Sequence, residues 1–178
     1  MNEKPAVLAC DEGFDEVVLP HLDAGYRLAR WLLRNKHDAE DVVQEASLRA
    51  FRYFETFTGG DGRAWFLRIV RNACRDCHAR RRGPPFDSLD EKQIADQASL
   101  DPETLMLRTD NVRLVERVLR ALPDSHRVLL VLRELEDLSY REIAQVMDVP
   151  LGTVMSGLSR ARQAFRRVLD DELKSSAS

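Results

Sequence analysis

The chain has 178 residues, with 27 Lys and Arg against 30 Asp and Glu and a hydrophobic share of 44%. That length holds one domain or two small ones, and the apolar content suffices for a core. No apolar run approaches membrane-spanning length. Asp11, Glu12, Asp15 and Glu16 stand where a signal peptide would be basic and then apolar, so the expectation is a cytoplasmic chain without membrane insertion.

In chain order, residues 1–11 read as a loose tail. Residues 14–34 carry a helical pattern in Leu22, Tyr26, Ala29 and Leu33, with Leu28, Trp31 and Leu32 beside them. Pro20 kinks that helix or marks its true start, and Asn35-Lys36-His37 breaks it. Asp38 is the expected N-cap of the next helix, residues 38–54, whose buried stripe is Val43, Ala46, Ala50 and Phe54. Asp38, Asp41, Glu45 and Arg52 lie along a charged face. That face is either a solvated one whose acids suit a helix N-terminus, or a docking surface for a basic partner.

A loop with three glycines, residues 56–62, precedes a basic amphipathic helix, residues 63–82. Trp65, Ile69, Ala73 and Cys77 form one apolar row, joined by Phe66, Val70 and Cys74. Arg68, Arg71 and Arg75 form a cationic face extended by residues 80–82. Arginine is a better phosphate fork than lysine, and a glycine loop beside it lets a nucleic-acid strand approach the backbone. Cys74-Arg75-Asp76-Cys77-His78 matches the C-x-x-C-H haem-attachment pattern. Haem attachment of that kind belongs to exported chains, so it is set aside. Small buried apolar residues, redox-sensitive thiols and a metal site remain as readings. With Cys10 the cysteine count is three, which does not suggest a disulfide framework.

Gly83-Pro84-Pro85 ends the first domain, and the segment to about Leu100 is acidic and weakly periodic, a linker. Asp101-Pro102 restarts helix to about Ala121, with Leu105, Leu107, Val112, Val115, Val118 and Leu119 as core candidates. After Leu122-Pro123-Asp124, residues 124–136 form a short helix with Val128, Leu129, Val131, Leu132 and Leu135 inward. Residues 139–167 then read as helix, tight turn, helix. Ser139-x-x-Glu142 fits a capping box, and Ile143, Ala144 and Met147 share a side. Asp148-Val149-Pro150 stops the helix. Val154, Leu158, Ala161 and Phe165 make one buried stripe, and Ser156, Ser159, Arg160 and Gln163 occupy the opposite face. A polar helix face with arginines near its end suits base reading followed by phosphate contact. Charge partitions the same way. Residues 63–82 carry seven arginines against Asp76, residues 83–110 seven acids against two cations, and residues 155–167 four arginines and no acid.

The expected fold is all-α, with two small helical domains joined by a flexible acidic linker, the second a helix-turn-helix. The expected division is a tail at 1–11, a first domain at 12–82, a linker at 83–103, a second domain at 104–173 and a tail at 174–178.

Three motifs in this order resemble the extracytoplasmic-function (ECF) group of bacterial RNA polymerase sigma factors. Asp38-Ala39-Glu40-Asp41-Val42-Val43-Gln44-Glu45 is similar to that family's core-polymerase docking helix. Ala64-Trp65-Phe66-Leu67-Arg68-Ile69-Val70-Arg71-Asn72, with Asp76 and residues 80–82, is similar to its promoter-melting helix. Ala121-Leu122-Pro123, then Leu138-Ser139-Tyr140-x-Glu142-Ile143-Ala144 and Gly152-Thr153-Val154-x-Ser156-x-Leu158-x-Arg160-Ala161-Arg162, are similar to its minus-thirty-five reader.

The resemblance implies a non-enzymatic specificity subunit with no cofactor or metal. Asp38, Asp41, Gln44, Glu45 and Arg49 would meet the clamp helices of core RNA polymerase's largest subunit. Phe57, Asp61, Arg63, Arg68, Arg71, Asn72 and Arg75 would meet the opened minus-ten strand, with an extruded base captured near the glycine loop. Ser139, Tyr140, Thr153, Met155, Ser156, Ser159, Arg160 and Arg162 would meet the minus-thirty-five duplex. The polymerase flap, promoter DNA and an anti-sigma factor are the implied partners of a chain that is a monomer when free. The linker would thread near the polymerase active site and RNA exit path. The chain departs from the family at Gly157, where a basic residue is usual, so one phosphate contact is expected to be missing. Two other readings remain: a free-standing helix-turn-helix regulator, which leaves the basic aromatic helix unexplained, and a redox- or metal-responsive protein using Cys74, Cys77 and His78.

Overall fold

The structure is a computed structural model that describes residues 13–82 and 110–176. The expected terminal tail at 1–11, the linker, Cys10, the Asp101 cap and the core candidates Leu105 and Leu107 lie outside those residues. Among the described residues every regular element is helical.

Helix α1 (Phe14–Val18) passes into a 3-10 turn at Leu19–His21, where Pro20 lacks the N–H that a continuous helix would use. Helix α2 (Leu22–Leu33) follows. It stops because Arg34 takes a left-handed conformation, φ 60°, with its N–H on the Arg30 carbonyl at 3.1 Å. Helix α3 (Lys36–Tyr53) is capped by Asn35, whose side chain accepts from the Asp38 N–H at 3.2 Å. The cap expected at Asp38 is therefore three residues earlier, and Asp38 sits in the first turn, where an acid still suits the helix dipole. The buried stripe of α3 is Ala39, Val42, Ala46 and Ala50.

Gly59 and Gly60 take φ 88° and 103°, a turn that side-chain-bearing residues rarely adopt. Asp61 then accepts from the Ala64 N–H at 3.1 Å and starts α4 (Gly62–Arg82). Ala64, Phe66, Leu67, Val70, Ala73 and Cys74 are the buried residues of α4, and Trp65 and Ile69 flank them.

The second unit holds α5 (Asp110–Ala121), α6 (Asp124–Leu130), α7 (Tyr140–Met147) and α8 (Leu151–Ser176). The α5–α6 corner is tied by Arg127, 1% exposed, whose guanidinium donates to the carbonyls of Leu119, Arg120 and Leu122 and to Asp124. Those carbonyls lie at or just past the end of α5, where intrahelical partners run out, so one cation ties the corner, with Arg34 also donating to the Arg120 carbonyl. Burial lowers the Arg127 pKa to about 10.

After α6 the backbone forms a π turn at Val131–Leu135, with the Glu136 N–H on the Val131 carbonyl at 3.0 Å. This extra residue shifts the helical phase. Leu135, expected inside, is 47% exposed, while Glu136 is 2% exposed. Val112 and Val115 are likewise surface residues, at 42% and 41%. The capping box at Ser139 and Glu142 is present in both directions. Helix α7 ends on Asp148 in the left-handed region, and α8 starts directly after Pro150.

The two units are not separate bodies. Their buried apolar side chains form one continuous cluster, with α2 packed on α6 and α4 packed on α7. Four arginines of the first unit reach acceptors of the second across this seam.

Candidate nucleic-acid and docking faces

Three faces carry the candidate residues. The first is α3. Asp41 and Gln44 are exposed, while the other expected docking residues are engaged with α4. Arg49 donates to Glu45 and to Asp76, Arg80 reaches Glu45 at 3.2 Å, and Arg81 pairs with Asp38. The Arg49 guanidinium holds the Glu45 carboxyl below its ordinary range. Asp38, Glu45 and Arg49 thus clamp α3 to α4, and Asp41 and Gln44 are left facing outward. Sequence reasoning missed Leu48 and Phe51, which are 56% and 65% exposed on the same side. Their signal was present: positions 41, 44, 48 and 51 recur at helical spacing, outside the buried stripe.

The second face is α4. Phe57 is 7% exposed, with its ring centroid 5.9 Å from Phe54 and 5.2 Å from Trp65. The expected base contact at Phe57 therefore falls on a ring packed among aromatics, which would have to leave them to meet a base. Asp61 is occupied as the α4 cap. Arg63 donates to the Glu136 carbonyl at 2.7 Å and its carboxylate at 3.1 Å. Arg68 pairs with Asp148 at 3.2 Å. Arg71 is half-buried, and burial, then the charge of Arg75, lower its pKa. Asn72 is partly exposed, and Arg75 lies open.

Next to this face Cys74 is 1% exposed, and burial pushes its thiol up to about 12. His78 lies with Nε2 at 3.1 Å from the Leu32 carbonyl. Cys74 is thus a small core residue whose nucleophilic thiolate is disfavoured, which removes the main support for the redox reading.

The third face is α8. Thr153, Met155, Ser156, Ser159 and Arg160 are exposed, Met155 at 54%. A shallow concavity of about 420 Å³ runs along Met155, Ser159, Arg162, Gln163 and Arg166. Gln163 and Arg166 thereby extend the expected set by one further helical turn. Arg162 is held by Glu134 at 2.8 Å and by the Tyr140 hydroxyl at 3.5 Å, and the Ser139 hydroxyl caps α7. Arg162 thereby ties α8 to α7 and to the π turn before it.

Gly157 is buried, and a Cβ there would lie 2.8 Å from Leu129 Cδ1. The position points into the α6 contact and away from the open face, so the missing cation expected there is not a gap in a phosphate-binding row.

One chain thus carries an exposed, partly apolar stripe on α3, a basic helix and a helix-turn-helix. Residues 17–83 match the family described as Sigma-70 region 2, and residues 113–165 match Sigma-70, region 4. The ECF RNA polymerase sigma factor SigE of Mycolicibacterium smegmatis is 38% identical over 159 residues, 88% of this chain and 61% of that protein. This chain thus spans about three fifths of the mycobacterial relative. The ECF RNA polymerase sigma-E factor of Escherichia coli K12 is 38% identical over 137 residues, 72% of each chain. Among solved structures, the sigma factor RpoE of Bartonella quintana, in complex with the anti-sigma factor NepR, superposes with a TM-score of 0.68. It does so at 23% identity over 88% of this chain and 96% of that one. CnrH in complex with the cytosolic domain of CnrY gives 0.63 at 24% identity, over 89% and 88%. These two show the same fold. The chain belongs to the ECF family of RNA polymerase sigma factors.

Proposed function

We propose that the chain docks on core RNA polymerase through the outer stripe of α3, reads the minus-thirty-five duplex with α8 and holds the opened minus-ten strand on α4. The observation that carries the polymerase reading is the stripe Asp41, Gln44, Leu48 and Phe51. Two large apolar side chains at more than half exposure, bordered by polar ones, mark a protein-docking surface. A free-standing DNA-binding regulator has no use for such a stripe opposite its basic helix.

The proposed duplex contacts are Thr153, Met155, Ser156, Ser159, Arg160 and Arg166. Ser139, Tyr140 and Arg162 support them. The proposed strand contacts are Arg63, Arg68, Arg71, Asn72 and Arg75, which together offer cationic tracking of a backbone. Asp61 starts the helix that presents them. The domain division remains as set out above: 12–82 for docking and the minus-ten element, 104–173 for the minus-thirty-five element, and 83–103 between them. Each step is binding, and none requires a catalytic residue.

Further parts of the reading are a cytoplasmic location, a monomeric free chain and control by an anti-sigma partner. Support for the partner comes from the Bartonella protein of like fold, which is held by the anti-sigma factor NepR. The test is co-elution of the full chain with core RNA polymerase on a sizing column. The expected result is a complex that another sigma factor competes away and that Asp41→Arg and Phe51→Ala both weaken. If Asp41→Arg binds core as tightly as the parent, the docking stripe is misplaced.

A further inference from the structure

The seam between the two units has a chemistry of its own. Glu136 belongs to the second unit and its carboxylate is fully buried, with a side-chain exposure of 0%. It accepts from Arg27 Nε and Nη2 at 2.7 Å each, and from Arg63 Nη2 at 3.1 Å. Arg27 stands on α2 and Arg63 on α4, so two helices of the first unit hold one acid of the second. A buried carboxylate is stable only when its oxygens are satisfied, and here the satisfaction comes wholly from the other unit. The π turn after α6 is what aims Glu136 at the seam.

Two further arginine contacts run in the same direction. Arg34 donates to the Arg120 carbonyl at 2.7 Å, and Arg68 reaches Asp148 at 3.2 Å. The seam therefore engages Arg63 and Arg68 directly, and Arg71 is half-buried near Asp148 on the same face. Those are three of the five proposed strand contacts. The α8 face carries no such cover among the described residues: Met155, Ser156, Ser159 and Arg160 all remain exposed.

We propose that the helix-turn-helix unit masks the strand-binding face of its own chain, with Glu136 as the pin. The free sigma factor is then closed toward the minus-ten strand while its α8 face stays open. Opening requires Arg27 and Arg63 to leave Glu136, and it uncovers Arg63, Arg68 and Arg71 together. No second protein is needed to close this face, although one that stabilised the seam would keep it closed. The occupant of the arginine face is the segment from α6 to α7 of the same chain.

The masking rests on the reading of α4 as strand-binding, so the test measures closure and strand binding separately. Closure is read on the full chain by small-angle X-ray scattering. Strand binding is read by fluorescence anisotropy with a labelled single-stranded DNA of mixed sequence. The variants are Arg27→Glu, Glu136→Arg and the two combined. Arg27 lies outside the proposed docking and DNA sets, and its side chain is 54% exposed.

The parent is expected to be compact, and Arg27→Glu to extend it while circular dichroism keeps the helix content. The combined charge swap should bring the compact form back. Freeing three arginines should also steepen the salt dependence of strand binding in Arg27→Glu by about two log units per log unit of salt, at roughly 0.7 per phosphate. If Glu136→Arg fails to fold, Arg27→Glu alone still decides closure. An extended parent, or an Arg27→Glu chain that stays as compact as the parent, overturns the proposal. Extension with no change in strand binding leaves the closure standing and overturns the strand-binding reading of α4.

Discussion

Helices α4 and α8 are both amphipathic, both rich in arginine and both candidates for DNA, yet they are in opposite states. On α4, Arg63 and Arg68 make contacts across the seam, and Arg71 is half-buried. On α8, Arg160 and Arg166 face outward beside exposed serines and Met155. Composition cannot separate the two cases, because it counts cations without saying which are already paired. What separates them is how many of the arginines lie against an acidic neighbour: on α4 Arg63 meets Glu136 and Arg68 meets Asp148, whereas on α8 Arg162 meets Glu134 while Arg160 and Arg166 border open solvent. An arginine with a partner must lose it before it meets a phosphate, so the same residue type costs more to use on α4 than on α8.

The comparison can be broken first where an arginine is structural outright. Arg127 is the most buried of them, and its guanidinium closes the α5–α6 corner. Arg127→Ala should lower the stability of the folded chain by about 3 kcal/mol, the scale for removing one partner from a buried, fully bonded charge. Urea denaturation checks it. An unchanged midpoint would mean that the corner is held by other contacts.

Next is Arg160→Ala on the open face. Duplex binding should weaken by about 1–3 kcal/mol if the side chain reads a base, with the salt slope falling by about one if it meets a phosphate. Core polymerase association should be unaltered, so a drop in both would place Arg160 in a structural role.

A sharper contrast comes from putting the same cation at two neighbouring positions. Met155→Arg should raise the salt slope of duplex binding by about 0.9, one added phosphate contact. Gly157→Arg should not, because its Cβ points at Leu129 in the α6 contact. Equal slopes for the two would show that the helix face is misassigned.

The smallest effect expected is at the cap of α7. Ser139→Ala removes one direction of the capping box and should cost about 1 kcal/mol. The bond from Ser139 holds the Glu142 carboxyl below its ordinary range. The box therefore contributes above the ordinary carboxylate pKa and is lost as pH falls through the depressed value. The difference between parent and Ser139→Ala should shrink in acid, and a constant difference would contradict the box.

Much of this architecture was legible in local chemistry. Ser139 and Glu142 announced their helix start, Pro20 and Pro150 their breaks, and Val154, Leu158 and Ala161 their buried stripe, because each signal lies within one or two turns of backbone. The misreadings share a cause. Asn35 caps α3 instead of Asp38 because Arg34 takes the left-handed conformation, which propensity alone does not foresee. Leu135 and Glu136 exchanged places because one extra residue in the hydrogen-bond ladder rotates everything after it, and periodicity assumes no such insertion. Val112 and Val115 had the spacing of core residues, yet among the described residues they stay exposed.

At the candidate sites, residue types were legible and availability was not. Arg27 and Glu136 are 109 positions apart, and no local pattern pairs them. Phe57 has the composition of a stacking residue, and only its contacts with Phe54 and Trp65 show that it is already stacked.

The difference between the two helices is measured most directly by arginine footprinting. The free chain would be treated briefly with phenylglyoxal at neutral pH, and modification scored at each arginine by mass spectrometry. The account predicts slow modification at Arg63 and Arg71 and fast modification at Arg75, Arg160 and Arg166, with Arg63 accelerated in Arg27→Glu. Equal and fast modification of Arg63, Arg71 and Arg160 in the parent chain would contradict it, because the basic face of α4 would then be as open as that of α8.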